Sequence, residues 1–281
     1  MKAHFWGTRG SIPTPGKDTI IYGGNTACLE ITLNSGKKII IDAGTGIRSL
    51  GDKLISLEDR VDILLLITHI HWDHVLGFPF FAPLYKPSTR IAIDGFTNCM
   101  KGLRTPFDNN LGDGFFPVKF DELKAEIQYL NIINHEPLRI DGVIIESIPI
   151  QHPQGGLGFR FREGGKSLIF LTDNELTNDV LAKRHPEDYF KFCKDADILI
   201  HDAQYTPEEK DARKGWGHSD YASALDLAIK SHVKKLILYH HDPSRKDTEV
   251  LSITNRCREL ARTNKTDIEI DAAKEGSGLT L

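Results

Sequence analysis

An apolar run that ends abruptly in polar ligands constrains this chain more than any other feature. Ile63-Leu64-Leu65-Leu66-Ile67 reads as a buried strand. It is followed at once by His69-Ile70-His71-Trp72-Asp73-His74. Burying imidazoles and a carboxylate without partners costs free energy. Two divalent metal ions would be such partners, and the mixture of imidazole nitrogen and carboxylate oxygen suits zinc, manganese or iron. Residues two apart in extended chain face one side. His69, His71 and Asp73 can therefore converge, and a turn at Asp73 brings in His74. These ligands can be divided between two adjacent sites.

The pattern His-x-His-x-Asp-His at a strand end resembles the metallo-β-lactamase superfamily of dinuclear metallohydrolases, over nearly the whole chain. The resemblance implies a four-layer αββα sandwich, an α/β fold of two mixed β-sheets flanked by helices. Periodicity alone says only α/β or α+β. Further family positions follow other apolar runs: His152 after Val143–Ile150, Asp173 after Ser167–Thr172, and His240 after Lys235–Tyr239. By resemblance, His69, His71 and His152 hold the first metal, Asp73, His74 and His240 the second, and Asp173 bridges both. His241 rivals His240, but the two cannot face one site from extended chain, and His240 is nearer the strand end. Two divalent metal ions are the implied cofactors. Zinc is the default for His/Asp sites, with manganese and iron also suitable.

His218, in Trp216-Gly217-His218-Ser219, resembles the catalytic histidine of the phosphodiesterase branch. Its implied role is general acid toward the departing alkoxide. Leu199-Ile200-His201-Asp202-Ala203 resembles the acidic strand end that holds this histidine. Asp202 is expected to fix its tautomer and raise its pKa. The implied reaction is attack of a metal-bridging hydroxide on a phosphodiester, and Asp73 joins the catalytic set through its metal.

The relatives known as tRNase Z share this set and carry a long RNA-binding arm between the positions of His152 and Asp173. Here a short hairpin around Glu163-Gly164-Gly165-Lys166 fills that interval. With a net charge of −4, this argues against nucleic acid as the partner, because an RNA footprint needs many Lys/Arg contacts to phosphate. The expected substrate is a small anionic phosphodiester, a cyclic nucleotide or phosphoribosyl cyclic phosphate. A tRNase Z-like endonuclease is the alternative. Thioester or lactam hydrolysis on the same metals, or a non-enzymatic metal-dependent module, are further readings.

The rest of the chain sets the frame. Its 281 residues are read as one domain, 1–281. There is no signal-peptide core or run long enough to span a membrane. Cys28, Cys99, Cys193 and Cys257 are far apart and read as reduced thiols in a cytoplasmic protein. Strands are expected at Ala3–Trp6, Ala27–Leu33, Lys38–Asp42, Ile63–Thr68, Ile91–Asp94, Ile127–Ile133, Val143–Ile150, Gly158–Arg162, Ser167–Thr172, Ile198–His201 and Leu236–Tyr239. Helices are expected at Gly46–Ser56, Val75–Phe81, Asp179–Cys193, Tyr221–His232 and Thr248–Thr263. The last two offer a surface for a homodimer, which the sequence does not decide. Lys101–Val118 reads as a long loop whose Phe115-Phe116-Pro117 could line a pocket mouth.

Overall fold

The structure, a computed structural model, describes residues 1–107, 116–177 and 185–281. Two mixed sheets of seven strands each pack face to face. In chain order the first is built from β1 (Lys2–Gly7), β2 (Cys28–Thr32), β3 (Lys38–Ile41), β4 (Asp62–Ile67), β5 (Arg90–Gly95) and β6 (Glu126–Tyr129). The second contains β7 (Leu138–Ile140), β8 (Val143–Pro149), β9 (Leu157–Glu163), β10 (Lys166–Leu171), β11 (Ile198–Asp202), β12 (Lys235–Tyr239) and β13 (Glu269–Ala272). The last strand, β14 (Gly278–Thr280), returns to the first sheet beside β1. Strands β3 to β6 run parallel, as do β10 to β13.

Strand alternation builds the layers. Leu64 and Leu66 of β4 point between the sheets, where they join Phe159, Phe161, Phe170 and Tyr239. Ile63, Leu65 and Ile67 point outward onto Leu50 and Leu54. Both faces of β4 are thus buried, which is why its sequence is continuously apolar. In chain order the helices are α1 (Ile47–Leu57), α2 (Trp72–Val75), α3 (Cys99–Arg104), α4 (Pro186–Cys193), α5 (Pro207–Lys210), α6 (Tyr221–Lys230) and α7 (Asp247–Thr263). Helices α1 and α3 cover the first sheet, and α4, α6 and α7 cover the second. This is the expected αββα sandwich. No helix among the described residues is long and apolar enough to cross a membrane.

Differences from expectation have local causes. The strand expected over Ile127–Ile133 ends at Tyr129, because Asn131 is left-handed and the buried Asp94 carboxylate takes the amides of Ile132 and Ile133. The helix expected over Val75–Phe81 is replaced by α2 and two 3-10 turns, Phe78–Phe80 and Ala82–Tyr85, whose prolines prevent a longer helix. The loop expected from Lys101 instead opens inside α3. Phe115 and the start of the helix expected from Asp179 lie outside the described residues; Phe116 packs its ring on Phe80 and Phe107. The strands with no sequence signal, β7, β13 and β14, are short edge strands.

The amino-terminal turns are structural and lead directly to the site. Arg9 is fully buried. Its guanidinium donates to the carbonyls of Gly23 (2.7 Å), Asp242 (3.1 Å) and Arg245 (2.8 Å), tying the loop after β1 to the loop after β12. Arg9→Ala is expected to destabilise the fold by about 3 kcal/mol or more, since charged donors to buried carbonyls contribute about 1.5–3 kcal/mol each. Denaturant unfolding measures this; a change under about 1 kcal/mol would show that the loop closes without the guanidinium.

Candidate metal centre

The parallel strands of both sheets deliver the expected donors to one place. His69, His71, Asp73 and His74 follow β4, Asp173 follows β10, His240 follows β12, and His152 lies between β8 and β9. Three residues at these strand ends, Asp42, Asp173 and His240, have φ near +60° (63°, 55° and 56°). The left-handed region is costly for residues with a Cβ, and such strain clusters at functional sites. It turns each side chain off the strand and into the gap between the sheets.

The donors form two groups. In one, His69, His71 and His152 converge, with His71 Nδ1 2.9 Å from His152 Nε2. In the other, Asp73, His74, Asp173 and His240 converge, and all are buried. His240 Nε2 lies 3.1 Å from Asp73 Oδ2 and 3.3 Å from Asp173 Oδ2, and His74 Nε2 lies 3.3 Å from Asp73 Oδ2 and 3.4 Å from Asp173 Oδ2. Ligands about 2.0–2.1 Å from a tetrahedral zinc ion lie about 3.3–3.4 Å from one another, so this spacing fits one ion. Asp173 faces both groups: Oδ2 meets His74 and His240, while Oδ1 is 3.8 Å from the Nε2 atoms of both His69 and His152. His69 Nε2 is buried with no hydrogen-bond partner among the described residues, as a lone pair reserved for a cation would be. The residues present therefore fit two divalent ions.

Outer partners fix which nitrogen each ring presents. His74 Nδ1 donates to Asp42 Oδ2 at 2.8 Å, freeing Nε2. His71 Nε2 donates to Gln154 Oε1 at 2.8 Å, freeing Nδ1. His152 Nδ1 donates to the Gly217 carbonyl at 2.9 Å, freeing Nε2. His69 Nδ1 rests on Thr68 Oγ1 at 3.0 Å, and that hydroxyl reaches Asp42 in turn. The Ser11 amide donates to Asp73 Oδ2 at 2.6 Å. A Cβ on Gly10 would come within 2.4 Å of the His240 ring, so the loop braced by Arg9 packs directly on this ligand. His241 turns the other way and donates Nε2 to the Ala273 carbonyl at 2.9 Å.

Charge follows the same division. Burial pushes the His69 and His152 imidazoles down, His152 to about 4, so both are neutral at pH 7, as imidazoles that hold a metal must be. Burial also pushes on His74, but the carboxylates of Asp73, Asp173 and Asp42 outweigh it and raise that pKa well above the ordinary value. Burial alone would raise Asp73 and Asp173; the neighbouring imidazoles of His74 and His240 hold both well below the usual carboxylate range.

His218 lies against this centre, its ring stacked on His240 at 5.2 Å between centroids. Its Nδ1 is 3.7 Å from both Asp173 Oδ1 and Asp202 Oδ2 and has no hydrogen bond among the described residues. Burial lowers its pKa, while Asp202 and Asp173 outweigh burial and raise it. Asp202 itself accepts the amides of Asn174 (3.0 Å) and Ser219 (2.8 Å). Its contact with the imidazole is one of charge, at a distance too long for the hydrogen bond expected to fix the tautomer.

Sequence reasoning missed the residue that holds this loop. The buried Glu175 carboxylate accepts the amides of Gly215 and Gly217, each at 3.0 Å. Gly217 has φ +85°, and a Cβ there would sit 2.0 Å from His152 Nδ1. One carboxylate thus sets the carbonyl that orients His152 and the backbone leading into His218. Asp42, Thr68, Ser11 and Gln154 were missed as well. Of these only Asp42 and Thr68 had a signal, as polar residues closing apolar runs.

Fold and site together define an αββα metallohydrolase. Residues 37–241 match the family model described as the beta-lactamase superfamily domain, and the chain belongs to that superfamily. The ribonuclease Z of Archaeoglobus fulgidus is 22% identical, with 85% of this chain and 87% of that protein covered. Yeast PDE1 superposes with a TM-score of 0.72 at 16% identity, covering 100% of this chain and 99% of that one. The short form of human tRNase Z gives 0.67 at 18% identity, covering 100% and 99%. These structural likenesses show the shared fold.

Two outcomes are expected. Asp173→Ala leaves fewer than two tightly bound ions per chain by elemental analysis; two retained ions would contradict its shared role. Glu175→Ala, which releases the loop whose Gly217 carbonyl orients His152, is expected to weaken metal binding by up to about 10–100-fold, the range for loss of an outer partner itself. Competition with a chromogenic chelator reads this, and unaltered affinity would leave Glu175 a purely structural residue.

Proposed function

We propose that this chain is a dinuclear metal-dependent phosphoric diester hydrolase. The observation that carries the reading is Asp173, one carboxylate facing both donor groups, with the buried His218 3.7 Å from the same oxygen that meets His69 and His152. Two divalent ions held there would supply hydroxide at neutral pH and withdraw charge from a phosphoryl group. The spacing around Asp73 and Asp173 favours zinc. Two carboxylates against two divalent ions leave the centre net positive, which attracts an anion. His218, beside Asp202 and Asp173, is placed to give its proton to the leaving oxygen. Asp202 sets the backbone of Ser219 and so the position of that acid. Donors from His69 to His240 meet in one centre, which supports one catalytic domain over residues 1–281.

Two substrates have support. The curated relatives, named ribonuclease Z, favour endonucleolytic cleavage near an RNA 3′ end over a small cyclic diester, and so weaken the expectation that nucleic acid is not a partner. The connection between His152 and Asp173 favours a compact substrate. It is filled by the β9–β10 hairpin, closed at Gly164-Gly165, without a protruding arm.

A turnover screen of a tRNA precursor, cyclic nucleotides and phosphoribosyl cyclic phosphate, with a thioester and a lactam as controls, tests the reading. Turnover of a phosphodiester and of neither control is expected; turnover of the thioester or lactam alone would overturn it. His218→Ala is expected to retain both ions and to lose on the order of 10²–10⁴ in kcat. An unchanged rate would remove His218 from the reaction.

A further inference from the structure

A cavity of about 320 Å³ opens directly beside the first donor group. His69 and His71 form one wall. The others come from Ile70, from Phe96, Thr97 and Asn98 after β5, and from Gln154 and Gly155 before β9. The volume is at the small end of ligand sites. A substituent of an ester held at the donor groups can enter it.

The walls have a particular chemistry. Phe96 gives an aromatic ring, packed beneath Gly155 so that a Cβ there would lie 3.2 Å from its Cζ. Asn98 and Gln154 give carboxamides. The Asn98 side chain makes no capping bond to the helix it precedes. Gln154 has its oxygen fixed by His71 Nε2, which leaves its amide hydrogens as donors at the wall. Asn98, Gln154 and Gly155 all have positive φ (69°, 63° and 84°). Gln154 is the third residue of the turn His152-Pro153-Gln154-Gly155, closed by the Gly155 amide on the His152 carbonyl at 3.0 Å; this turn sets its positive φ and places its side chain between His71 and the cavity. An aromatic face with carboxamide edges matches a heterocyclic base, which stacks through its π-face and is read through donors and acceptors on its rim.

We propose that this cavity is a base-binding subsite, with Phe96 stacking on the ring and Asn98 and Gln154 reading its edge. The substrate is then a nucleoside phosphodiester, and a sugar phosphate without a base is excluded. The proposal rests on the phosphodiester reading above and narrows it.

Two chromogenic esters with one leaving group test it: thymidine 5′-(4-nitrophenyl phosphate) and methyl 4-nitrophenyl phosphate, on the zinc-loaded protein. The nucleoside ester is expected to have the higher kcat/KM by about tenfold or more, the scale of one base–aromatic stack. Phe96→Leu keeps the bulk without the ring, and Phe96→Ala removes both. Each is expected to lower kcat/KM for the nucleoside ester at least tenfold more than for the methyl ester, mainly through KM. Equal kcat/KM for the two esters in the unmodified protein, or parallel losses in both variants, would overturn the subsite. If neither ester turns over, the substrate screen above decides the phosphodiester reading, and binding decides the subsite by itself. Adenosine 5′-monophosphate should then bind at least tenfold tighter than ribose 5-phosphate, and lose that margin in Phe96→Leu. Equal affinities would overturn it.

Discussion

The mutual crowding of buried imidazoles and carboxylates is the constraint on which this structure depends. The Nε2 atoms of His74 and His240 each lie 3.1–3.4 Å from both the Asp73 and Asp173 carboxylates, and all four side chains are buried. Without cations such a cluster is held together only by shared protons, as the raised pKa of His74 among three carboxylates indicates. Buried groups of this kind are tolerated when paired or coordinated to metal. The spacing itself is that of ligands around an ion, and the outer hydrogen bonds of His69, His71, His74 and His152 leave one nitrogen of each ring facing inward.

The sandwich exists to hold that spacing. Side chains on both faces of β4, β10 and β12 are buried in apolar contacts, so these strands cannot shift relative to one another without opening cores. Their carboxyl ends then project donors from fixed points, and left-handed residues complete the turn inward. Arg9 closes one side of the centre and Glu175 the other, each through backbone groups. The protein thus uses buried charge twice over, once in a cluster that suits a pair of ions and once to fix the loops that frame it.

Much of this was legible from residues alone. Strands buried on both faces announce themselves as continuous apolar runs, and a polar residue at such an end has few reasons to be there other than chemistry. His69, His71, Asp73, His74, Asp173 and His240 could be read on that basis together with the family resemblance. The edge strands β7, β13 and β14 could not, because short half-exposed segments carry no periodicity. Glu175 and Gln154 were illegible for another reason. Their roles are set by what lies opposite in space, Gly215–Gly217 and His71, and no local pattern encodes such partners. Asp202 shows the limit of resemblance: its charge reaches His218, but its hydrogen bonds go to the backbone.

The most direct measurement is a crystal of the zinc-loaded protein with anomalous data collected on either side of the zinc edge. Two peaks are predicted, one among His69, His71 and His152, the other among Asp73, His74 and His240, with Asp173 between them. A single peak, or peaks away from Asp173, would contradict the account.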